Sequence, residues 1–592
     1  MDSIKSFKGY GKVNELEERA FRQKTRKRCI VLIVSSIVLV TVIIGAVVGI
    51  VVHKRNSSSS SNSVPPTELT PAASLNAVCG VTQYPSTCYS SISSVETSNT
   101  TDPKIIFKLS LRVAADELSK LKDYPAKLKA KTNDPRLTAA LDVCETVFDD
   151  AVDRLNDSIS SMGSVGEGGK LLTSSKIDDM KTWLSSSITD QDTCLGALQE
   201  LNNTLDNSAI LDDVRNAMQN STEFVSNSLA IVAKILGSLA DFNIPIHRRL
   251  LGFERRDLGF PSWVSASDRR LLQAANNKTA VAAQLTVAKD GSGEYTTISA
   301  AVAAVPKKSA SRVVIYVKAG TYVENVILDK NTWNVMMYGD GMTETIVSGS
   351  LNFVDGTPTF STSTFAVKGK GFIAKDMGFI NTAGAEKHQA VAFRSASDFS
   401  VFYRCSFDAY QDTLYAYSNR QFYRECDITG TIDFIFGNAA AVFQNCNIMP
   451  RQPLSNQYNT ITAQGKSDPN QSTGISIQKC TLSPLNSNLT APTYLGRPWK
   501  AYSTTVVMQS NIGSFLNQLG WTEWVPNTEP PSTIFYAEYQ NTGPGSDTAH
   551  RVTWAGYKPT ITADQAGKFT VTTFIQGGEW LPATSVTFDA SL

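Results

Sequence analysis

Two short segments of the sequence carry side chains whose types and spacing could do chemistry. Gln411-Asp412-Thr413-Leu414-Tyr415 stands 21 residues ahead of the matching aspartate in Gly430-Thr431-Ile432-Asp433-Phe434-Ile435-Phe436-Gly437. Two carboxylates on one face can divide labour. One stays ionised as a nucleophile and the other is held protonated as a general acid, because close like charges push their pKa values apart. Asp433 sits among Ile432, Phe434 and Ile435, where a charge is costly without a partner. Arg497, in Leu495-Gly496-Arg497-Pro498-Trp499, is a candidate to keep it ionised. Gln411, and Gln389 in His388-Gln389-Ala390-Val391-Ala392, could donate amide hydrogens to an oxyanion. The spacing also suits a plainer reading, in which both aspartates bind backbone amides in turns of a repeating fold.

The elements that must position these groups are short strands. Residues 273–592 are rich in Gly, Asn, Thr, Val and Phe, and similar segments recur: Phe372–Phe379, Val401–Phe407, Phe422–Ile428, Val442–Ile448 and Ile475–Leu482. Aligned on Asp376, Cys405, Cys426, Cys446 and Cys480, they suggest a unit near 20 residues with variable insertions. That is the signature of a solenoid of parallel strands, a β-helix, with a β-sandwich as the fold alternative. One unit separates Asp412 from Asp433, so both should sit on neighbouring coils of one face. The same stacking puts Cys426 above Cys446, which makes them the preferred disulfide pair. A solenoid of this kind presents a long groove suited to an extended polymer.

Ahead of it, residues 72–243 show helical spacing instead. Apolar residues recur three and four apart from Ile105 to Leu121, and again over Leu137–Leu155, Lys176–Leu201 and Ile210–Leu239. This predicts an antiparallel four-helix bundle. Its cysteines are Cys79, Cys88, Cys144 and Cys194. Pairing of Cys79 with Cys88 would close an N-terminal hairpin and Cys144 with Cys194 would staple two long helices, although spacing permits three connectivities. The stretch has no histidine and scatters its carboxylates over helix faces, as an interaction or folding module does. Cys79-Gly-Val-Thr82-Gln-Tyr84-Pro85-Ser-Thr-Cys88, followed by helices with two more cysteines, resembles the invertase/pectin methylesterase inhibitor family.

Composition and charge set the frame. With 42% hydrophobic and 18% charged residues and a net charge of +1, the chain is neither disordered nor a polybasic nucleic-acid binder, and holds two to four domains. Four histidines argue against a multi-histidine metal site. The neutrality is a sum of unlike parts: residues 1–28 hold 9 basic against 4 acidic side chains, residues 56–243 hold 15 against 24, and residues 273–592 balance at 23 each. Residues 1–28 read as a basic cytosolic tail. The uncharged run 29–52 would span about 36 Å as a helix, enough to cross a bilayer as a signal anchor. Basic residues precede it, which puts everything after Val52 outside the cytosol. Residues 53–71 form a Ser/Pro-rich stalk. Asn99, Asn156, Asn202, Asn220, Asn277 and Asn488 open glycan acceptor sequons, as a lumenal chain tolerates. Between the two large segments, residues 244–272 repeat a dibasic motif, Arg248-Arg249-Leu250-Leu251 and Arg269-Arg270-Leu271-Leu272. Such a linker suits cleavage by a secretory-pathway protease, and a solvated basic linker is the alternative.

A second resemblance covers the solenoid. Asp290-Gly-Ser-Gly, Tyr316-Val-Lys-Ala-Gly320, Tyr410-Gln-Asp-Thr-Leu-Tyr415, Gly430–Gly437, Leu495–Trp499 and Phe535-Tyr-Ala-Glu-Tyr539 occur in order and together resemble plant pectin methylesterase. The family usually has Gly where Ala409 stands. With the bundle ahead, the whole chain resembles a pectinesterase/pectinesterase-inhibitor precursor. The resemblance implies a right-handed parallel β-helix acting on methyl-esterified homogalacturonan without metal or organic cofactor. It implies Asp433 as nucleophile, Asp412 as proton donor and Gln411 as stabiliser, with Thr359, Gln389, Arg497 and Trp499 contacting substrate. It further implies a subtilisin-like processing protease and the chain's own or another inhibitor domain as partners. Membrane contact is expected only through the anchor. The route is a type II Golgi precursor, released to the cell wall. Other pectin-active solenoid enzymes, lyases or polygalacturonases, and a non-catalytic wall-binding inhibitor are the competing readings.

Overall fold

The computed structural model describes residues 70–95, 98–163, 172–201, 208–238 and 283–592. The expected tail, anchor helix 29–52, most of the stalk and the dibasic linker lie outside the described residues. Among those described, no helix is long and apolar enough to cross a membrane.

Four long helices form the bundle, two of them begun by an aspartate cap. Among the described residues these are preceded by α1 (Pro71–Cys79) and α2 (Pro85–Ser93), then come α3 (Pro103–Leu121), a short α4 (Tyr124–Lys129), α5 (Pro135–Ser161), α6 (Ser174–Leu201) and α7 (Ser208–Ile231). Asp102 and Asp134 cap α3 and α5 by accepting the main-chain N–H of Lys104 and of Arg136 (both 2.8 Å). Each is followed by a proline at the first helical position, where no N–H is missed. Disulfides join Cys79 to Cys88 between α1 and α2, and Cys144 to Cys194 between α5 and α6. The buried stripe of α5, from Leu137 through Cys144, Phe148 and Leu155, is the apolar face that the helical period calls for.

From Leu285 on, the chain winds into a parallel β-helix. Successive coils contribute one strand to each of three sheets, which hold 11, 8 and 7 strands among the described residues. The seven-stranded sheet comprises β1 (Val326–Leu328), β2 (Phe365–Val367), β3 (Phe393–Ser395), β4 (Leu414–Ala416), β5 (Ile435–Gly437), β6 (Asn459–Gln464) and β7 (Thr493–Gly496). All its pairings are parallel, with Phe393, Leu414 and Ile435 stacked in register. Phe365, Phe393, Phe402, Phe407 and Tyr423 fill the interior as a pile of rings, with Phe402 and Tyr423 4.6 Å apart.

The turn between the 11- and 8-stranded sheets explains the sequence repeat. Asp376, Arg404, Glu425, Asn445 and Lys479 all hold positive φ, near 50–55°. Each such residue turns the strand and drives the next side chain inward. Tyr403 pairs with Lys375, so Arg404 stacks on Asp376 and Cys405 on Met377. The alignment of Asp376 with Cys405 was therefore one residue out of step.

The Cys426–Cys446 disulfide is also corrected. Cys405, Cys426, Cys446 and Cys480 are buried free thiols in one row. Cys426 has a neighbour on either side, and its Sγ–H donates to the Phe402 carbonyl (3.4 Å), as Cys446 Sγ–H does to the Tyr423 carbonyl (3.6 Å). The thiols touch along the row as well, but no bond joins them.

Strands do not run to the end of the chain. Ala563–Gly567, Val571–Phe574 and Gly577–Trp580 are short helices. Val571, Ile575 and Leu581 pack on Val314, Ile373, Val401 and Phe422, covering the outer face of the 11-stranded sheet. Nor are bundle and solenoid separate bodies: Thr70–Leu592 is one compact unit. The bundle core runs on into Phe360, Val391, Tyr415, Tyr417 and Phe436 of the solenoid.

Candidate active site

The outer face of the seven-stranded sheet is where the chemistry-bearing residues meet. Asp412 and Asp433 lie two residues ahead of the first residues of β4 and β5 and occupy equivalent places on adjacent coils, which lie about 4.8 Å apart. Both backbones are left-handed, φ 64° and 53°, a conformation aspartate tolerates better than most residues.

Asp433 is only 4% exposed, yet all its needs as a carboxylate are met. Arg497 donates Nε–H to its Oδ1 (2.9 Å) and Nη2–H to its Oδ2 (2.6 Å), a two-pronged pairing. The Thr460 hydroxyl donates to Oδ1 as well (2.6 Å), while the Asp433 N–H donates to Thr460 Oγ1 (2.8 Å). Asp412, 8% exposed, is treated oppositely. Burial, and then the charges of Asp433 and Glu200, hold its carboxyl well above the ordinary carboxylate range, against the pull of Arg497. Asp433 thus carries a guanidinium partner, while burial favours the neutral form of its neighbour.

Gln389 and Gln411 stack beside the pair through a parallel bridge. With Thr359 and Trp499 they line a cavity of about 420 Å³ around Asp412 and Asp433. Its floor is aromatic: Tyr415 and Phe436 stack at 4.1 Å, and Trp499 follows 6.3 Å from Phe436 and 6.2 Å from Trp524. Trp499 lies so close to Gly465 that a Cβ there would stand 2.8 Å from the indole.

Three contributors escaped the sequence reading. Thr460 follows Asp433 by one coil, a spacing that could have found it. Trp524, under the Arg497 guanidinium at 4.3 Å, carried no such signal. The third is the set of bundle residues at the site, Thr189, Thr193, Gly196 and Glu200 of α6, which form the cavity roof. Glu200 Oε2 accepts the Thr359 N–H at 3.1 Å. Burial raises the Glu200 carboxyl to about 7, the Thr359 N–H pulling the other way. Beside it, Tyr417 donates its hydroxyl to Asp190 (2.7 Å) and Asn438 its amide to Thr189 (2.9 Å).

Of the sequon residues, Asn99, Asn156, Asn220 and Asn488 are exposed. Asn202, Asn277 and the processing residues Arg248–Leu251 and Arg269–Leu272 lie outside the described residues.

Comparison with known proteins identifies both parts of the chain. The family model described as Pectinesterase matches residues 284–578, and that described as Plant invertase/pectin methylesterase inhibitor matches residues 73–231. Pectinesterase 3 of Phaseolus vulgaris is 65% identical, the match covering all of both chains. Pectinesterase 1 of Arabidopsis thaliana is 60% identical over 99% of each. The solved pectin methylesterase from carrot, 53% identical with a TM-score of 0.51, is matched over 99% of its length by 53% of this chain. A pectin methylesterase chain about half as long as this one therefore stands as a solved structure by itself. The chain belongs to the pectinesterase family, as a plant precursor in which an inhibitor-like helical domain precedes the esterase β-helix.

Proposed function

We propose that the chain is a pectin methylesterase that hydrolyses C6 methyl esters of homogalacturonan, with the bundle as its built-in silencer. The observation that carries the chemistry is the contrast between the two aspartates. Asp433, fixed by Arg497 and Thr460, attacks the ester carbonyl carbon. Gln411 and Gln389 donate to the oxyanion, and Asp412 gives its proton to departing methanol. Asp412 then takes a proton from the water that opens the acyl-enzyme, which restores both carboxyl groups. Trp499 offers a face for a sugar ring, and Thr359 lies at the cleft edge. Asp433→Asn should reduce methanol release roughly a thousandfold or more in a protein that still folds; undiminished release would overturn the assignment.

The silencing reading rests on Glu200, which holds the Thr359 N–H inside the cleft. Cleavage at Arg248-Arg249-Leu250-Leu251 or Arg269-Arg270-Leu271-Leu272 by a subtilisin-like protease would sever the link between bundle and enzyme. The run 29–52 would anchor the precursor in the Golgi membrane, and the cut enzyme would pass to the cell wall, with glycans on the exposed sequon residues. N-terminal sequencing of the secreted protein, paired with methanol release before and after the cut, tests this sequence of events. Equal activity of the intact and cut forms would remove the silencing role.

A further inference from the structure

The bundle also grips the solenoid well away from the cleft. Helix α6 reaches the cavity with Glu200, and Asp179 lies on the same helix roughly 30 Å nearer its start. There Asp179 meets Arg420, the first residue of the strand Arg420–Arg424 in the 11-stranded sheet. The Arg420 side chain is only 3% exposed. It lies 4.1 Å over the Phe399 ring, which packs in turn on Trp580 of the terminal helices at 5.4 Å.

Two carboxylates share this guanidinium, one from each domain. Asp398 of the solenoid accepts its Nε–H at 3.0 Å and one Nη2–H at 2.7 Å. Nη2 donates also to Asp179 Oδ1 of the bundle at 2.7 Å, and Nη1 to Gln576 Oε1 at 3.4 Å. Ser175 stands four residues before Asp179, on the same helix face, and donates its hydroxyl to Glu579 Oε2 at 2.9 Å. A buried guanidinium needs a carboxylate partner, and Asp398 meets that need within the solenoid. The bond to Asp179 is therefore free to serve docking. Gln576 and Glu579 belong to the terminal segment that covers the outer face of the 11-stranded sheet, away from the cleft wall. Contacts inside the cleft occupy the place of substrate; these do not.

We propose that Arg420, Gln576 and Glu579 form a second docking site for the bundle, outside the cleft. It keeps the bundle seated after the linker is cut, and it selects a helix that carries a carboxylate at the place of Asp179 and a hydroxyl one turn earlier. A bundle with a neutral side chain there leaves Arg420 to Asp398 and is held by its other contacts alone. Cutting then primes the esterase, and parting of the two pieces activates it. The inference rests on the silencing reading, which methanol release checks separately from binding.

The test cuts the full chain in the 239–282 segment and follows how fast the bundle parts from the β-helix on dilution, by native mass spectrometry. Methanol release is recorded alongside. The wild-type pieces should stay together after the cut. Asp179→Asn should speed their parting about tenfold or more, because losing a charged partner across an interface appears in the off-rate. Ser175→Ala should speed it severalfold, and Asp179→Lys, which sets a second cation against Arg420, more than either. All three changes lie on the bundle, so the freed β-helix should release methanol equally fast in each. If Asp179→Asn and Ser175→Ala part at the wild-type rate, or the wild-type pieces separate as soon as the linker is cut, the proposal is overturned. Pieces that stay together while methanol release is already full would remove the silencing role, and the off-rates would still decide the docking site.

Discussion

Glu200, on the longest helix of the bundle, accepts the main-chain N–H of Thr359 at 3.1 Å, and its charge bears on Asp412 in the cleft below. Glu200 and Asp412, the proposed catalytic acid, thus share one desolvated space, which ties docking of the bundle to pH.

The sign follows from three interfacial carboxyls. Burial raises Glu200 and Asp190 to about 7 and moves Asp192 the same way. A group whose pKa is raised in the docked state favours docking fully below its undocked pKa, here 3.8 to 4.5, and loses that contribution as pH climbs through about 7. The uncut chain should therefore be most silent near pH 4 and leak activity towards pH 7, measured as the ratio of uncut to cut methanol release. Glu200→Gln should flatten that ratio severalfold. A wild-type ratio independent of pH would count against the coupling.

The two partners of Asp433 should fail differently. Arg497→Ala leaves a buried carboxylate unpaired, at a cost of about 3–5 kcal/mol, so melting temperature and kcat should both fall. Thr460→Val removes one hydrogen bond to the carboxylate and the acceptor of the Asp433 N–H. At about 1–3 kcal/mol this should lower kcat roughly tenfold or more while KM moves little. Steady-state kinetics with a thermal melt separates the two.

Gly465→Ala probes the aromatic wall. The new methyl group would meet Trp499 at 2.8 Å and push the indole off its place. KM for pectin should rise severalfold with kcat largely kept, and overpacking should cost about 1–3 kcal/mol. An unchanged KM would mean that Trp499 does not touch substrate.

The thiol row gives a chemical check on the fold. Cys405, Cys426, Cys446 and Cys480 should resist alkylation in the native protein and react after denaturation without reductant, whereas Cys79, Cys88, Cys144 and Cys194 should react only after reduction. Mass spectrometry of the alkylated peptides reads this directly. Losing the Cys144–Cys194 link, which closes a 50-residue separation, should cost the bundle about 2–5 kcal/mol.

Much of this was legible in the residues. Helical spacing in residues 72–243 and a repeat near 20 residues in 273–592 separated bundle from solenoid, because a helix has one face to bury and a stacked coil repeats its register. The 21-residue step from Asp412 to Asp433 placed them on adjacent coils because a parallel coil stacks at a fixed register. The thiol pairing went wrong for a related reason: stacking tells which cysteines are neighbours, but not whether two neighbouring thiols are joined by a bond. The terminal helices were missed because short turns such as Val571–Phe574 have too few residues to show a period.

By itself the sequence determined the two folds, the aspartate pair, Arg497 and the family, all of which depend on local pattern or ordered motifs. Only the tertiary structure decided that α6 roofs the cleft, that Glu200 reaches Thr359, and that α5 lays its aspartates on Lys330 and Lys368. Those contacts join residues more than 150 positions apart, from Glu200 to Thr359 or from Asp149 to Lys330. No periodicity specifies such a pairing; it arises when two preformed surfaces bury their apolar faces together and bring complementary charges into reach.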